Sequence, residues 1–177
     1  MIQKPMFSPQ TEWLPPDCFP DLSKYDEIAI DLETKDPELK TMGSGSVTGR
    51  GRIVGIALAV DNWSGYYPIA HEGGGNMDEK MVMNYFRTIL NLPARKIFHN
   101  AMYDVCFIRA AGLKINGEIV DTMIAGSLVD ENRFRYDLGS MGRDYLGRGK
   151  NEAVLNETAA IWGVAVSYTH LTLPTIA

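Results

Sequence analysis

Two carboxylates separated by one residue, Asp31 and Glu33, are the part of the sequence best suited to chemistry. They follow an apolar run at 27–30 that is typical of a buried strand. Side chains at positions i and i+2 of a strand project from the same face, so both carboxylates would leave one face of a sheet together. Carboxylates hold hard cations such as Mg²⁺, and a two-metal phosphoryl-transfer site needs one that bridges two ions. By itself, the pair is a weak signal, because an acidic residue after a strand is more often a turn former or a helix cap.

A second segment adds a third acidic residue, Asp104. Residues 96–99 predict a short strand that delivers Asn100 at its end. The residues that follow predict a helix with Asp104 in its first turns and Gly112 as its stop. Asp104 is therefore predicted to lie above a strand end, where it could join the first two carboxylates.

The sequence DLET at 31–34, followed by HN-x-x-YD at 99–104, resembles the first two motifs of the DEDD superfamily of 3′–5′ exonucleases. It is most similar to the proofreading domain of family A (polymerase I-like) DNA polymerases, particularly the phage-type versions. The likeness continues through 121–123 and 136–141 and covers residues 22–164. It implies an α/β fold with a ribonuclease H-like mixed sheet flanked by helices.

The resemblance also implies a metal-dependent phosphodiester hydrolase with two divalent ions, Mg²⁺ or Mn²⁺, as cofactors. Asp31 would bridge the two ions, Glu33 would bind the ion that carries the attacking water, and Asp104 would hold the second ion. In such sites one metal generates hydroxide and the other stabilises the leaving 3′ oxygen. The three carboxylates are thus both the catalytic and the metal-binding candidates.

Thr34, Asn100 and Tyr103 are the candidates for contacting the terminal nucleotide, although Tyr103 is also compatible with a core position. The implied substrate is a single-stranded DNA 3′ end, the implied partner is a polymerase domain in the intact parent chain, and the implied location is the cytoplasm of a bacterial or phage-infected cell. An RNase D-like exoribonuclease would share the carboxylates, because contacts to a 2′-hydroxyl are not legible in this sequence. A non-catalytic nucleic-acid-binding or polymerase-docking module on the same fold is the other alternative.

The third motif of the family, Tyr-x-x-x-Asp, is absent from the 177 residues. A related form, His-x-x-x-x-Asp, occurs at 99–104, but it would leave only Asp36, Asp61 and Asp78 for the second motif, and none is well placed. Residues 166–175 resemble an in-frame translation of a transposon-derived sequencing adaptor, although a Thr-rich edge strand is the alternative. We therefore expect 25–165 to be an incomplete exonuclease domain, truncated at the C-terminus and poorly active, and 166–177 to be a non-native tail.

The composition fits a single α/β domain, with 177 residues of which 45% are hydrophobic and 22% charged. We find neither a secretory leader nor an apolar run near 18 residues, so membrane association is not expected. A net charge of −5 argues against a general electrostatic clamp on DNA, but bound cations would offset an acidic site. The two cysteines predict no disulfide framework.

The pattern predicts a Pro-rich extended lead-in at 1–24, from which Trp13 and Phe19 dock on the domain. An antiparallel trio of strands at 26–32, 53–60 and 65–69 should precede parallel strands near 96–98 and 118–120.

The Gly-rich segment at 35–52, which carries Lys40, Arg50 and Arg52, is predicted as a mobile loop. It could be either a phosphate-contacting flap or a solvated connection. Asn76 with Glu79 resembles a capping box, and Asp121 is interpreted as a helix cap.

Overall fold

The computed structural model describes residues 14–72 and 75–149, and within them the chain forms one five-stranded mixed sheet. The strands lie in the order β3-β2-β1-β4-β5. The first three strands pair antiparallel, whereas β4 and β5 run parallel to β1, as the sequence predicts. The strands are β1 (Glu27–Lys35), β2 (Arg52–Val60), β3 (Trp63–Pro68), β4 (Arg95–Phe98) and β5 (Ile119–Asp121).

Six helices accompany the sheet in the described ranges. They are α1 (Leu39–Met42), α2 (Gly45–Thr48), α3 (Glu79–Asn91), α4 (Ala101–Ala110), α5 (Thr122–Val129) and α6 (Leu138–Leu146). The mixed sheet flanked by helices confirms the predicted fold class. None of the helices in the part of the chain that the structure describes has the length and apolarity needed to cross a bilayer.

The central strand β1 divides its residues between the core and the opposite face. Ile28, Ile30 and Leu32 are buried, and they join one hydrophobic cluster with side chains from β2, α3 and α4. The intervening Asp31 is exposed and Glu33 is half-buried. This alternation has the period of two that the sequence predicts.

The Gly-rich segment at 35–52 is wrongly predicted as a plain loop, because it contains α1 and α2. The buried carboxylate of Asp36 accepts a hydrogen bond from the Gly45 backbone N–H at 2.9 Å. Gly51 packs so tightly that an added Cβ would lie 2.9 Å from both the Gly45 Cα and the Phe107 ring. These close contacts tie the segment to α4, and the sequence pattern could not reveal them because the partners are distant along the chain.

The predicted capping box at the start of α3 is also wrong. Asp78 is the N-cap, and its side chain accepts from the Met81 N–H at 2.8 Å. Asn76 instead bonds both backbone groups of His71, accepting from its N–H and donating to its carbonyl, each at 2.8 Å. Asn76 and Asp78 both suit the cap, and the hydrogen bonds of Asn76 to the backbone of His71, five residues earlier, leave the cap to Asp78.

Lys96 on β4 is a fully buried lysine whose ammonium donates to three backbone carbonyls. The acceptors are Leu92, Ala94 at 2.9 Å and Asn116 at 2.8 Å. Burial lowers the pKa of Lys96. The Lys96 side chain therefore links the connection before β4 to the connection before β5. These contacts lie at the start of β4, whereas Phe98 is at its end.

Part of the predicted lead-in docks on the domain. Phe19 stacks on Tyr67 with ring centroids 5.5 Å apart and contacts Tyr85 at 4.9 Å. The Tyr85 hydroxyl donates to the Pro20 carbonyl at 2.8 Å. Docking of Phe19 is thus confirmed, whereas Trp13 and the predicted tail at 166–177 lie outside the described residues.

Candidate active site

The site develops where β1 runs past its parallel neighbour. The pairing of β4 with β1 ends at Ala29 opposite Ile97, but β1 continues to Lys35. On the other side, β1 stays paired with β2, and a bulge between Glu33 and Thr34 shifts that register. Bulges change the direction of the side chains beside them, so this bulge affects how the side chain of Glu33 is directed at the end of β1.

Asp104 projects from the first turn of α4 and is only 4% exposed. Burial, followed by the negative charges of Asp31 and Glu33 and to a smaller extent of Asp121, raises its pKa to about 8, against a backbone hydrogen bond from Leu32 that lowers it. Charges influence one another this strongly only at short range in a poorly solvated setting. The fold therefore brings the third predicted carboxylate into the field of the first two.

These carboxylates are a donor set of the kind that hard divalent cations prefer. Burial and neighbouring negative charge both disfavour the ionised form of Asp104, and a bound cation would stabilise that form. Within 14–72 and 75–149, however, no three His, Cys, Asp or Glu side chains stand in an arrangement that holds a metal ion. The charge and chemistry of these residues thus suit a divalent cation, but their side chains do not form a complete coordination site in this structure.

Two of the predicted nucleotide contacts, Thr34 and Tyr103, are hydrogen-bonded to each other through their hydroxyls. Their hydroxyls lie 2.9 Å apart, and the Tyr103 hydroxyl also donates to Asp36 at 3.3 Å. Thr34 is 4% exposed and Tyr103 is half-buried, so both hydroxyls serve a polar network beneath the surface. Asp36, which the sequence does not single out, is the buried acceptor of that network.

The third predicted contact, Asn100, is exposed at the start of α4 in the left-handed conformation, with φ of 65°. The Asp121 carboxylate accepts from the backbone N–H of Asn100 at 3.0 Å and of Ala101 at 2.8 Å. It also accepts from Met123 N–H at 2.9 Å and so caps α5. The prediction that Asp121 is a cap is confirmed, and its carboxylate serves two helix starts.

Tyr66 on β3 lies near Asp31 and Glu33 of β1, although nothing in the sequence indicates this. Asp31 faces Ala57 across β1 and β2, and Ala57 faces Tyr66 across β2 and β3. Directly opposed residues share a face of the sheet, so the three form a row. Burial raises the pKa of Tyr66, and the charges of Glu33 and then Asp31 add to this effect. Only the strand register reveals this proximity.

A basic cavity of about 280 Å³ opens at Lys35, the last residue of β1. Its lining includes Lys35, Arg50 and Arg52, together with Pro37 and two glycines of the Gly-rich segment. Lys35 forms an ion pair with Glu72, and Arg50 forms one with Glu38. The cavity is thus cationic, with two of its three charges balanced by surface glutamates.

Comparison with known proteins identifies relatives of the chain. Residues 7–172 match the model of a 3′–5′ exonuclease family associated with DNA polymerase A. A DNA-directed DNA polymerase of Pseudomonas phage M6 is 32% identical over 92% of this chain, and DNA polymerase I of Borreliella burgdorferi is 25% identical over 73%. The chain spans only 26% and 13% of these two proteins, respectively.

Solved structures show the same fold at low identity. NrnC of Brucella melitensis with bound Mg²⁺ superimposes with a TM-score of 0.54 at 21% identity, covering 73% of this chain and 57% of that protein. Escherichia coli RNase D gives a TM-score of 0.53 at 15% identity, covering 74% and 30%. The chain therefore belongs to the DEDD 3′–5′ exonucleases, in the family of exonuclease domains carried by polymerase I-like DNA polymerases.

Proposed function

We propose that the intact protein removes nucleotides one at a time from the 3′ end of single-stranded DNA, as the proofreading domain of a polymerase. The observation that carries this proposal is the buried Asp104, whose pKa is raised in part by the charges of Asp31 and Glu33. A buried carboxyl group under the influence of two other carboxylates is difficult to explain structurally, because the mutual repulsion destabilises the fold. A cation-dependent reaction would explain why these three carboxylates are present.

In this proposal Asp31, Glu33 and Asp104 would hold two Mg²⁺ or Mn²⁺ ions, with Asp31 shared, Glu33 on the side of the attacking water and Asp104 on the side of the leaving group. When bound, such a pair supplies a hydroxide nucleophile and stabilises the leaving 3′ oxygen. The protein's contribution would be positional: alternation along β1 holds Asp31 and Glu33 on one face, and α4 would bring Asp104 toward them. The family's Tyr-x-x-x-Asp would complete the set and is absent from this sequence.

We further propose that the terminal nucleotide contacts Thr34, Asn100 and Tyr103. Asn100 is exposed at the start of α4 and needs no rearrangement. The hydroxyls of Thr34 and Tyr103 would act as a pair, because their mutual bond fixes the orientation of each. The basic cavity lined by Lys35, Arg50 and Arg52 is placed to receive a phosphate further along the strand.

The relatives support a polymerase domain in the intact protein, because those named are DNA polymerases of phages and bacteria. We accordingly propose that the protein acts in the cytoplasm of a bacterial or phage-infected cell. An RNase D-like exoribonuclease is the second candidate, and the fold shared with Escherichia coli RNase D favours keeping it. The sequence likeness to DNA polymerases makes DNA the preferred substrate.

The experiment is Mg²⁺- or Mn²⁺-dependent shortening of a 5′-labelled single strand, offered as DNA and as RNA of the same sequence. Products shortened stepwise from the 3′ end are expected, with DNA preferred. Asp31→Ala should abolish shortening, whereas Asp61→Ala, at an exposed turn between β2 and β3, should not change it. Activity that survives Asp31→Ala would disprove the site, and preference for RNA would support the second candidate.

The 177-residue chain itself should be a weak nuclease. Loss of one metal ligand and of a water-orienting tyrosine removes several kcal/mol of transition-state stabilisation, which corresponds to a rate loss of about 10³ or more. The comparison is with a version of this chain to which a Tyr-x-x-x-Asp helix of the family has been joined. Equal rates would show that this motif is dispensable or supplied elsewhere.

A further inference from the structure

The Tyr66 ring packs against the sheet in the space that a side chain at Gly55 would fill. A Cβ built on Gly55 would lie 1.8 Å from the Tyr66 Oη and 2.4 Å from its Cζ, so the tyrosine ring occupies the space above this glycine. No residue other than glycine leaves that space open. The position of the Tyr66 hydroxyl is therefore fixed by the choice of residue at 55.

The same geometry places the Tyr66 hydroxyl beside Glu33. Gly55 is directly opposite Glu33 in the antiparallel ladder of β1 and β2. The Cβ atoms of directly opposed residues lie about 5 Å apart, and the hydroxyl occupies almost the position of the missing one on Gly55. The carboxylate of Glu33, two bonds beyond its own Cβ, is thus within reach of the Tyr66 hydroxyl. The contribution of the Glu33 charge to the raised pKa of Tyr66 agrees with this proximity.

His71 holds the hydroxyl from the other side. The Tyr66 Oη and the His71 Nε2 form a hydrogen bond, and their rings lie 5.9 Å apart. The backbone of His71 is in turn clamped by the two hydrogen bonds of Asn76. An ionised carboxylate only accepts hydrogen bonds, so a tyrosine that donates to Glu33 must accept from His71. That assigns the proton of a neutral His71 to Nε2.

We propose that Tyr66, oriented by His71 and seated over Gly55, is a positioning residue that fixes the carboxylate of Glu33 for metal binding. The inference rests on the proposed function, because it presumes that Glu33 is a metal ligand. Outer partners that hydrogen-bond a metal ligand commonly contribute about 10- to 100-fold to metal affinity or activity. Tyr66 would act only through Glu33 and would touch neither metal nor substrate.

The first test measures Mn²⁺ affinity of the full chain by electron paramagnetic resonance. Tyr66→Phe should weaken binding by about tenfold. Gly55→Ala should weaken it similarly, because the new methyl displaces the ring. Tyr67→Phe is the matched control, since Tyr67 neighbours Tyr66 but donates to the Cys18 carbonyl at 3.3 Å and lies on the other face of β3. It should leave the affinity unchanged.

A double-mutant cycle separates positioning from general support of the fold. In a Glu33→Gln background, Tyr66→Phe should have no further effect on Mn²⁺ affinity. An equal loss in both backgrounds, or no loss in the wild type, would overturn the proposal. If Asp31→Ala and Glu33→Gln both leave Mn²⁺ affinity unchanged, the metal site of the proposed function is itself wrong, and the positioning role is refuted with it.

The second test is spectroscopic and needs no metal. Long-range ¹H–¹⁵N correlation spectra report which ring nitrogen of a neutral histidine carries its proton, and the chain has only three histidines to assign. The proposal requires the Nε2–H form of His71 at neutral pH. An Nδ1–H form would make Tyr66 the donor to His71 rather than to Glu33, and the relay would be disproved.

Discussion

Replacing Asp104 by Asn should remove the loss of stability that the metal-free protein suffers as the pH rises. The pKa of Asp104 rises from 3.8 to about 8 in the folded chain, chiefly through burial and then through the charges of Asp31 and Glu33. Between these two values the unfolded chain has released the proton and the folded chain retains it. The free energy of unfolding therefore falls as the pH rises through this window.

The magnitude follows from the shift. One pKa unit corresponds to 1.36 kcal/mol, so the whole window sets an upper bound of roughly 6 kcal/mol on the destabilisation at pH 8 and above. An Asn at 104 mimics the protonated acid, because its amide oxygen can still accept from the Leu32 backbone N–H. We expect Asp104→Asn to match the wild type near pH 4.5 and to exceed it by roughly 2–4 kcal/mol at pH 8.

Urea unfolding in EDTA between pH 4.5 and 8.5 provides the measurement. Asp61→Asn, at an exposed turn, should run parallel to the wild type throughout. Addition of Mg²⁺ at pH 8 should restore part of the lost stability to the wild type but not to Asp104→Asn, since a cation bound by the folded state stabilises it. Parallel curves for Asp104→Asn and the wild type in EDTA would refute the buried, repulsive setting of Asp104.

Three further substitutions probe the supports of the site by urea unfolding at pH 6. Asp121→Ala should cost about 2 kcal/mol, because it uncaps α5 and leaves the N–H of Ala101 without its acceptor; a loss below 0.5 kcal/mol would contradict the double cap. Gly45→Ala should cost more than 2 kcal/mol, because the new Cβ would lie 2.5 Å from Gly51 backbone atoms, and an unchanged midpoint would show that the segment can shift. Lys96→Met should cost about 3 kcal/mol by leaving backbone carbonyls without a donor, and a neutral result would mean that water replaces the ammonium.

The sequence predicts the parts of the site that depend on local periodicity. Alternation along β1 places Asp31 and Glu33 on one face, and the strand-to-helix pattern places Asp104 in the first turn of α4. Both features depend on neighbours within a few residues, so they are legible without the fold. The cap formed by Asp121 is legible for the same reason, although its second helix is not.

Features that depend on strand register or on distant partners are not predictable in this way. Tyr66 comes near the acidic pair only because β3 pairs with β2 in one register. Asp36 is buried because Gly45 and Tyr103 donate to it from across the fold. In each case a tertiary demand overrides or extends a local pattern.

The buried Lys96 has a consequence for engineering of this domain. Its ammonium bonds the carbonyls of Leu92 and Ala94 before β4 and of Asn116 before β5. Neither connection can be exchanged alone for that of a related domain, because a graft that moves one carbonyl leaves the lysine without a partner at that position. The two connections and the lysine form a single exchangeable cassette, and chimaeras of such domains should be cut outside 92–116 rather than within it.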